Sequence, residues 1–384
     1  MIVKRIKGAV KSGRDRTIEM LCRLVGENSF SGNPEGLNRV GDLVLANLPR
    51  SLDVHFETDP NGVRHHIVQG PAVRGKGILL LGHLDTVFPR EDHRNPFLLE
   101  GKRIRGQGTA DMKGGIVVMV QALRVLDGLG LLEKIPLLCI FSGDEEVGSP
   151  FSERLIRGAA GKARWGLVFE CGGQKSEIVT ARRGVARFEL TVRGKAGHAG
   201  RIGGARASAI AALAREVLDL EELNDLRRGI SLNVGTITGG QATNIVPERA
   251  CARFEIRFWN DTDENCACEK IETIVSRADI TGCVSSLRRF ERRPGLEALP
   301  GTGELVGFAR ECGAALGQKI GTEKRGGASD GNFLSDMGVP VIDGLGPVGD
   351  LDHSPEEYIL AESLFERIAL TALLLARLAG VGVH

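Results

Sequence analysis

Apolar residues in the first half of the chain fall into short continuous runs: Gly77–Leu81, Pro136–Ser142 and Gly166–Glu170 are β-rich, and Gly114–Leu129 has helical spacing. Unbroken runs of this length are expected of strands covered on both sides, so the pattern predicts an α/β fold, a mostly parallel sheet with helices on both faces. At about Ala181 the pattern changes to strict alternation. In Val185–Arg193 one face carries Phe188, Leu190 and Val192 and the other Arg187, Glu189 and Arg193. Ala250–Phe258 repeats this, with Ala252, Phe254, Ile256 and Phe258 opposite Arg253, Glu255 and Arg257, as strands with one wet face should. Helical segments at Ala205–Leu223 and near Glu264–Arg277, and strands at Ser231–Thr238 and near Cys283–Phe290, complete a β-α-β-β-α-β order, that of a ferredoxin-like α+β insert. After Pro294 the first pattern resumes, with helices from Gly303 and near Ala328, a strand at Pro340–Asp343 and a helix at Ala361–Leu378. The expected domains are residues 1–180 with 294–384, interrupted by 181–293.

Composition narrows the classes. The chain has 384 residues with 42% apolar and 26% charged, ordinary for a folded protein and long enough for two domains. Fifty Lys and Arg against 49 Asp and Glu leave a net charge of +1, with no basic excess to drive nucleic-acid binding. The basic N-terminus lacks the apolar core of a secretory signal, and no apolar run reaches about 18 residues, so a cytoplasmic protein without a membrane partner is expected. Eight cysteines show no regular framework and are expected to be reduced and structural; Cys266 and Cys268 form only a C-x-C pair, which does not suggest a zinc ribbon.

Candidate chemistry collects where the apolar strands end. Ile78–Leu81 runs into His83 and Asp85, Pro136–Ser142 into Asp144, Glu145 and Glu146, and Gly166–Phe169 into Glu170. The carboxyl ends of strands line the ligand crevice of an open α/β sheet, so three separate segments deliver imidazole and carboxylate to one rim. Asp111, in Gly106-Gln107-Gly108-Thr109-Ala110-Asp111, precedes a helix, and His353 lies in a loop after the last strand. Five or six such ligands without cysteine suit zinc, cobalt or manganese. Each residue alone has a plainer reading: Asp111 as a helix cap, the acidic triplet as a solvated loop. His55, His65, His66, His93 and His384 lack such context and are expected at the surface.

These residues together resemble the co-catalytic zinc aminoacylases and carboxypeptidases, a family that includes acetylornithine deacetylase, succinyl-diaminopimelate desuccinylase and the carboxypeptidase G type glutamate carboxypeptidases. The resemblance runs through Gly82-His83-Leu84-Asp85-Thr86-Val87, Gly106 to Gly115, Asp144-Glu145-Glu146-Val147-Gly148-Ser149, Glu170, Gly197-His198-Ala199-Gly200, Asn244-Ile245-Val246-Pro247 and Leu351-Asp352-His353-Ser354. It is nearest to the carboxypeptidase G group through Ala181-Arg182-Arg183-Gly184 and Ala328-Ser329-Asp330-Gly331-Asn332-Phe333.

The resemblance implies two divalent metal ions, zinc by preference with cobalt or manganese as alternatives, and a homodimer whose inserted domain acts as lid and dimerisation element. Asp111 would bridge the metals, His83 and Glu170 completing one site, Glu146 and His353 the other. Asp85 would accept a hydrogen bond from the ring of His83, and Glu145 would be the general base. His198 would stabilise the oxyanion, in many relatives from the partner subunit. Asn244 and Arg257 would grip a substrate carboxylate, with Ser329 a further substrate-binding candidate; Arg257 could equally just solvate its strand face. The segment after His198 lacks the Pro and Asn common in the family, and Cys171 beside Glu170 raises the expectation of sensitivity to oxidation.

The function expected is hydrolysis of a peptide or N-acyl amide next to a free carboxylate, on a small molecule or short peptide, as a glutamate-type carboxypeptidase. N-acyl amino acid deacylation is the nearest alternative. A dinuclear phosphoesterase would need phosphate clamps that are not seen, and a non-catalytic binding protein would have no use for Glu145 beside the ligands.

Overall fold

The computed structural model of the chain describes residues 1–92, 97–201, 206–277 and 279–381. His93, His384 and residues 202–205 of the atypical segment after His198 lie outside them. The chain divides into two compact units: Met1–Ala181 with Ala298–Arg325 and Ser329–His384, and Arg182–Glu297 with Gly326–Ala328.

In the first unit the run Gly77–His83 is buried along its whole length. It sits inside a six-stranded sheet of order Asp53–Thr58, Arg64–Gln69, Leu137–Ser142, Gly77–His83, Ala163–Val168, Val341–Ile342. The last four strands are mutually parallel, with Leu80 opposite Cys139 on one side and Leu167 on the other. The first two are antiparallel. Ile, Leu and Cys side chains on both faces explain why Gly77–His83 and Leu137–Ser142 take the inner places: only there is all of that surface removed from water. The helix Gly114–Gly128 packs against Ala361–Leu378, which also meets Pro300–Leu316 and the N-terminal helix Ile2–Ser12.

Arg64–Gln69 corrects one expectation. His65 and His66 are buried rather than superficial, because their strand is an inner one, flanked by Asp53–Thr58 and Leu137–Ser142 and covered by the helix Pro34–Ala46. A Cβ at Gly41 of that helix would come within 2.4 Å of the His66 ring, so the glycine leaves room for the imidazole. His55, on the edge strand, is exposed as expected.

The second unit is a four-stranded antiparallel sheet, in order Ser231–Gly239, Arg249–Phe258, Gly184–Arg193, Val284–Arg293, with helices Ala209–Glu221 and Asp261–Ser276. Its connectivity is β-α-β-β-α-β. Phe188 and Phe254 face each other in register and stack at 5.2 Å on the apolar side. On the polar side Arg187 pairs with Glu255 and Glu291, while Arg253 and Arg288 share Glu189. Ser208 and Asn260 cap the two helices through the amides of Ala211 and Asp263. Residues 326–328 return to this unit although the sequence pattern assigns them to the other. The guanidinium groups of Arg257 and Arg182 donate to the carbonyls of Gly326 and Gly327, at 3.1 and 3.2 Å, and hold the segment there.

Candidate metal centre

Three parallel strands end side by side at one edge of the first unit's sheet. Gly77–His83 terminates on His83, Leu137–Ser142 runs into a short turn bearing Glu145 and Glu146, and Ala163–Val168 stops two residues before Glu170. The last approach is tight. A Cβ at Gly115 would lie 1.8 Å from the carbonyl oxygen of Phe169, so only glycine lets the helix Gly114–Gly128 come this close to the backbone beside Glu170.

Asp111 precedes that helix in non-helical geometry (φ −120°, ψ 94°), and its peptide to Met112 is cis. Its two carboxylate oxygens face different imidazoles: Oδ1 lies 3.0 Å from His83 Nε2, and Oδ2 lies 3.2 Å from His353 Nε2. Glu170 Oε1 stands 3.5 Å from His83, and Glu146 Oε2 stands 3.3 Å from His353. His353 occupies the left-handed region (φ 61°), in the turn between Gly349–Asp350 and Tyr358–Leu360. Two triads result, His83–Asp111–Glu170 and Asp111–Glu146–His353. Within each, the candidate ligand atoms lie within 4.8 Å of one another.

The protonation pattern shows how much negative charge is gathered here. Burial would lower the pKa of His83, but hydrogen bonds to Asp111, Asp85 and Glu170 raise it well above the ordinary imidazole value. His353 is pushed up to about 11 by Asp111 and Glu146. Burial and the charge of Asp111 push Glu146 up to about 8, while the two imidazoles outweigh burial at Asp111 and hold it well below the carboxylate range. Glu146 Oε1 is buried without a hydrogen-bond partner among the described residues. One imidazole and two carboxylates per triad, a shared carboxylate and an orphaned buried oxygen fit divalent cations of borderline hardness.

Asp85 has more to do than expected. The ring Nδ1 of His83 faces the main-chain oxygen of Asp85 at 3.0 Å, and the carboxylate only at 3.4 Å. That carboxylate instead accepts from the amides of Glu145 and Glu146 and from Ser31 Oγ. Asp144 completes the turn by receiving the amides of Phe151 and Ser152 at the next helix start, so within the acidic triplet it is the structural member. Nothing in its type distinguishes Ser31 along the sequence.

Ser329 is fully buried, and its hydroxyl donates to Asp343 at 2.8 Å, so it braces its loop from inside. Burial pushes the Cys171 thiol up to about 12, against the opposing charge of Arg325, whose guanidinium lies 3.3 Å from Sγ.

The remaining candidates belong to the second unit. His198 and Asn244 come together on a small ribbon, where Gly197–His198 pairs with Ile245–Val246 and the amide of Ala199 donates to the carbonyl of Asn244. Both side chains are exposed, and His198 Nδ1 accepts from the amide of Gly200 at 3.0 Å. Arg257 is half-buried, with Nε donating to Glu255 at 2.7 Å and Nη1 to Gly326.

The chain is similar to known proteins along most of its length. Carboxypeptidase G2 of Pseudomonas sp. (strain RS-16) is 28% identical over 374 residues, covering 93% of this chain and 88% of the relative. Succinyl-diaminopimelate desuccinylase of Stutzerimonas stutzeri (strain A1501) is 26% identical over 370 residues, covering 91% and 94%. Among solved structures, the aminopeptidase PepT of Bacillus cereus ATCC 10987 superposes with a TM-score of 0.78 at 23% identity, covering 95% of this chain and 99% of that one. The M20 family metallo-carboxypeptidase Sso-CP2 of Sulfolobus solfataricus gives 0.75 at 17%, again covering 95% and 99%. Residues 79–377, which hold both triads, match the profile of peptidase family M20/M25/M40, and the chain belongs to that family.

Proposed function

We propose that this metal-dependent hydrolase uses two divalent ions, zinc by preference, to cleave a peptide or N-acyl amide bond next to a free carboxylate, as a glutamate-type carboxypeptidase. The observation that carries the reading is the division of Asp111, one carboxylate oxygen toward each triad. When bound, the ions supply Lewis acidity at the scissile carbonyl and acidify the attacking water. The chain supplies the rest. His83, Asp111 and Glu170 would hold one ion, and Asp111, Glu146 and His353 the other. Glu145 takes the proton of the attacking water and returns it to the leaving nitrogen, and Asp85 holds the turn that presents it.

His198 and Asn244, exposed together on their ribbon, are assigned to the reacting carbonyl oxygen and the substrate carboxylate. Arg257 joins Asn244 as carboxylate anchor; its strand faces the polar side of the sheet, and its Nη2 has no protein partner among the described residues. A homodimer is part of the proposal, supported by the exposed edge strand Ser231–Gly239. The eight free cysteines support a reducing, cytoplasmic setting. Likeness to a desuccinylase favours a second reading within the same chemistry, deacylation of an N-acyl amino acid.

Paired substrates test the anchor: C-terminal free acids against the matching amides, with wild type and Arg257→Leu. Wild type should strongly prefer the acid, and the variant should lose most of that preference. Equal cleavage of acid and amide by wild type would sink the carboxylate-anchor reading. Discrimination surviving in Arg257→Leu would move the anchor to Arg182, Arg183 or the Gly326–Asp330 loop.

A further inference from the structure

The segment that delivers Asp111 is not held by a regular ladder. Asp111 and Met112 depart from helical geometry, and the amides of Gly108, Ala110 and Asp111 are received by one side chain, Glu357. Its Oε2 accepts from Gly108 at 2.7 Å, and its Oε1 accepts from Ala110 at 2.7 Å and from Asp111 at 2.9 Å. Its main-chain oxygen accepts from Gly106 at 3.2 Å. Glu357 is fully buried, whereas its neighbour Glu356 is exposed. The next residue, Tyr358, pairs with Arg105 across an antiparallel ladder, which sets the register of the whole contact. The buried ammonium of Lys113, which donates to the carbonyl of Glu27 at 2.8 Å, places a positive charge near the same carboxylate.

Glu357 lies four residues beyond His353, so one carboxylate ties the segment bearing the shared ligand to the segment bearing a terminal ligand, from opposite ends of the chain. We infer that Glu357 is a positioning residue of the metal centre, locking the Asp111 segment and the His353 turn into one register before any ion arrives. A carboxylate suits the task because its two oxygens, each with acceptor capacity to spare, can receive three converging N–H donors. Glutamine would keep the size but turn an NH2 group against those donors. The inference rests on the metal-hydrolase reading above.

The test is titration of metal-free protein with Zn²⁺ and with Co²⁺, alongside amide hydrogen exchange of the same preparations. In Glu357→Gln we expect metal affinity to fall by about ten- to a hundredfold, the usual effect of losing a group that orients ligands. Exchange should quicken at Gly108, Ala110 and Asp111 while Leu79–Leu81 keep their protection. Should that variant not fold, Glu357→Asp keeps both acceptors but withdraws them by one methylene, and the same two readouts apply. Wild-type affinity with unchanged exchange would overturn the inference, as would loss of protection spread evenly over loop and strand, which marks a merely structural role. Failure of wild type to bind either ion would instead overturn the metal-hydrolase reading.

Discussion

Asp85 Oδ1 accepts the main-chain amide of Glu145 at 3.2 Å, and its Oδ2 takes the next amide, that of Glu146, at 3.1 Å. One buried carboxylate thereby fixes the backbone under both the proposed base and a proposed ligand, beside the imidazole of His83. Asp85→Asn keeps the shape but offers one acceptor and an NH2 group where two amides and Ser31 converge. We predict a loss of about 10–100-fold in kcat/KM with the circular dichroism spectrum retained. Activity within a factor of two of wild type would show that the turn does not need the charge.

The adjacent glutamates should fail in different ways. Glu145→Gln removes a base and leaves both triads intact, so metal content should be kept while kcat drops by about 10²–10⁴-fold. Glu146→Gln alters the group beside His353 and should lower metal occupancy first. Metal analysis and steady-state kinetics on both variants decide it, and a shared phenotype would refute the division of labour.

Metal uptake should release protons. In the metal-free protein Asp111 and Glu146 push His353 up to about 11, so its ring is protonated at neutral pH, whereas an ion requires the neutral imidazole. Affinity should therefore rise with pH across the neutral range. Titration calorimetry at pH 7 in buffers of different ionisation heat should show at least about one proton released for the ion that engages His353. No net release would contradict the arrangement. Removal of metal by chelation should abolish turnover.

His66 predicts acid sensitivity unrelated to catalysis. Both ring nitrogens are buried without partners among the described residues, and burial, reinforced by Arg64, lowers its pKa to about 4. Between an unfolded value near 6.5 and about 4, the unfolded chain takes a proton that the native ring refuses. Its contribution is thus complete above about pH 6.5 and is lost as pH falls, by about 2 kcal/mol at pH 5. Urea unfolding at pH 7 and pH 5 should show a smaller drop in the His66→Leu variant than in wild type. An equal drop would place the sensitivity elsewhere.

The strands that carry the ligands could be read from the sequence because their information is local. Gly77–His83 and Leu137–Ser142 are continuous apolar runs, which fit only the inside of a sheet, and the residues after such strands necessarily reach its carboxyl edge. Alternation in Gly184–Arg193 and Arg249–Phe258 likewise marks a sheet with one polar face. The final helix falls on Ala361–Leu378, with the expected bounds. Residue type and spacing alone did not separate a buried histidine from a surface one: His65 and His66 read as polar, and only flanking strands and the room left by Gly41 take them inside. Nor did they separate Glu357 from Glu356, two identical side chains with opposite fates. The difference lies in the register of Tyr358 on Arg105, a pairing between segments far apart in the chain. Hydrophobic periodicity encodes which face of an element is buried, over a few residues at a time. Which distant amides will need an acceptor is decided only when the elements pack, because a buried donor draws its partner from whatever folding brings beside it.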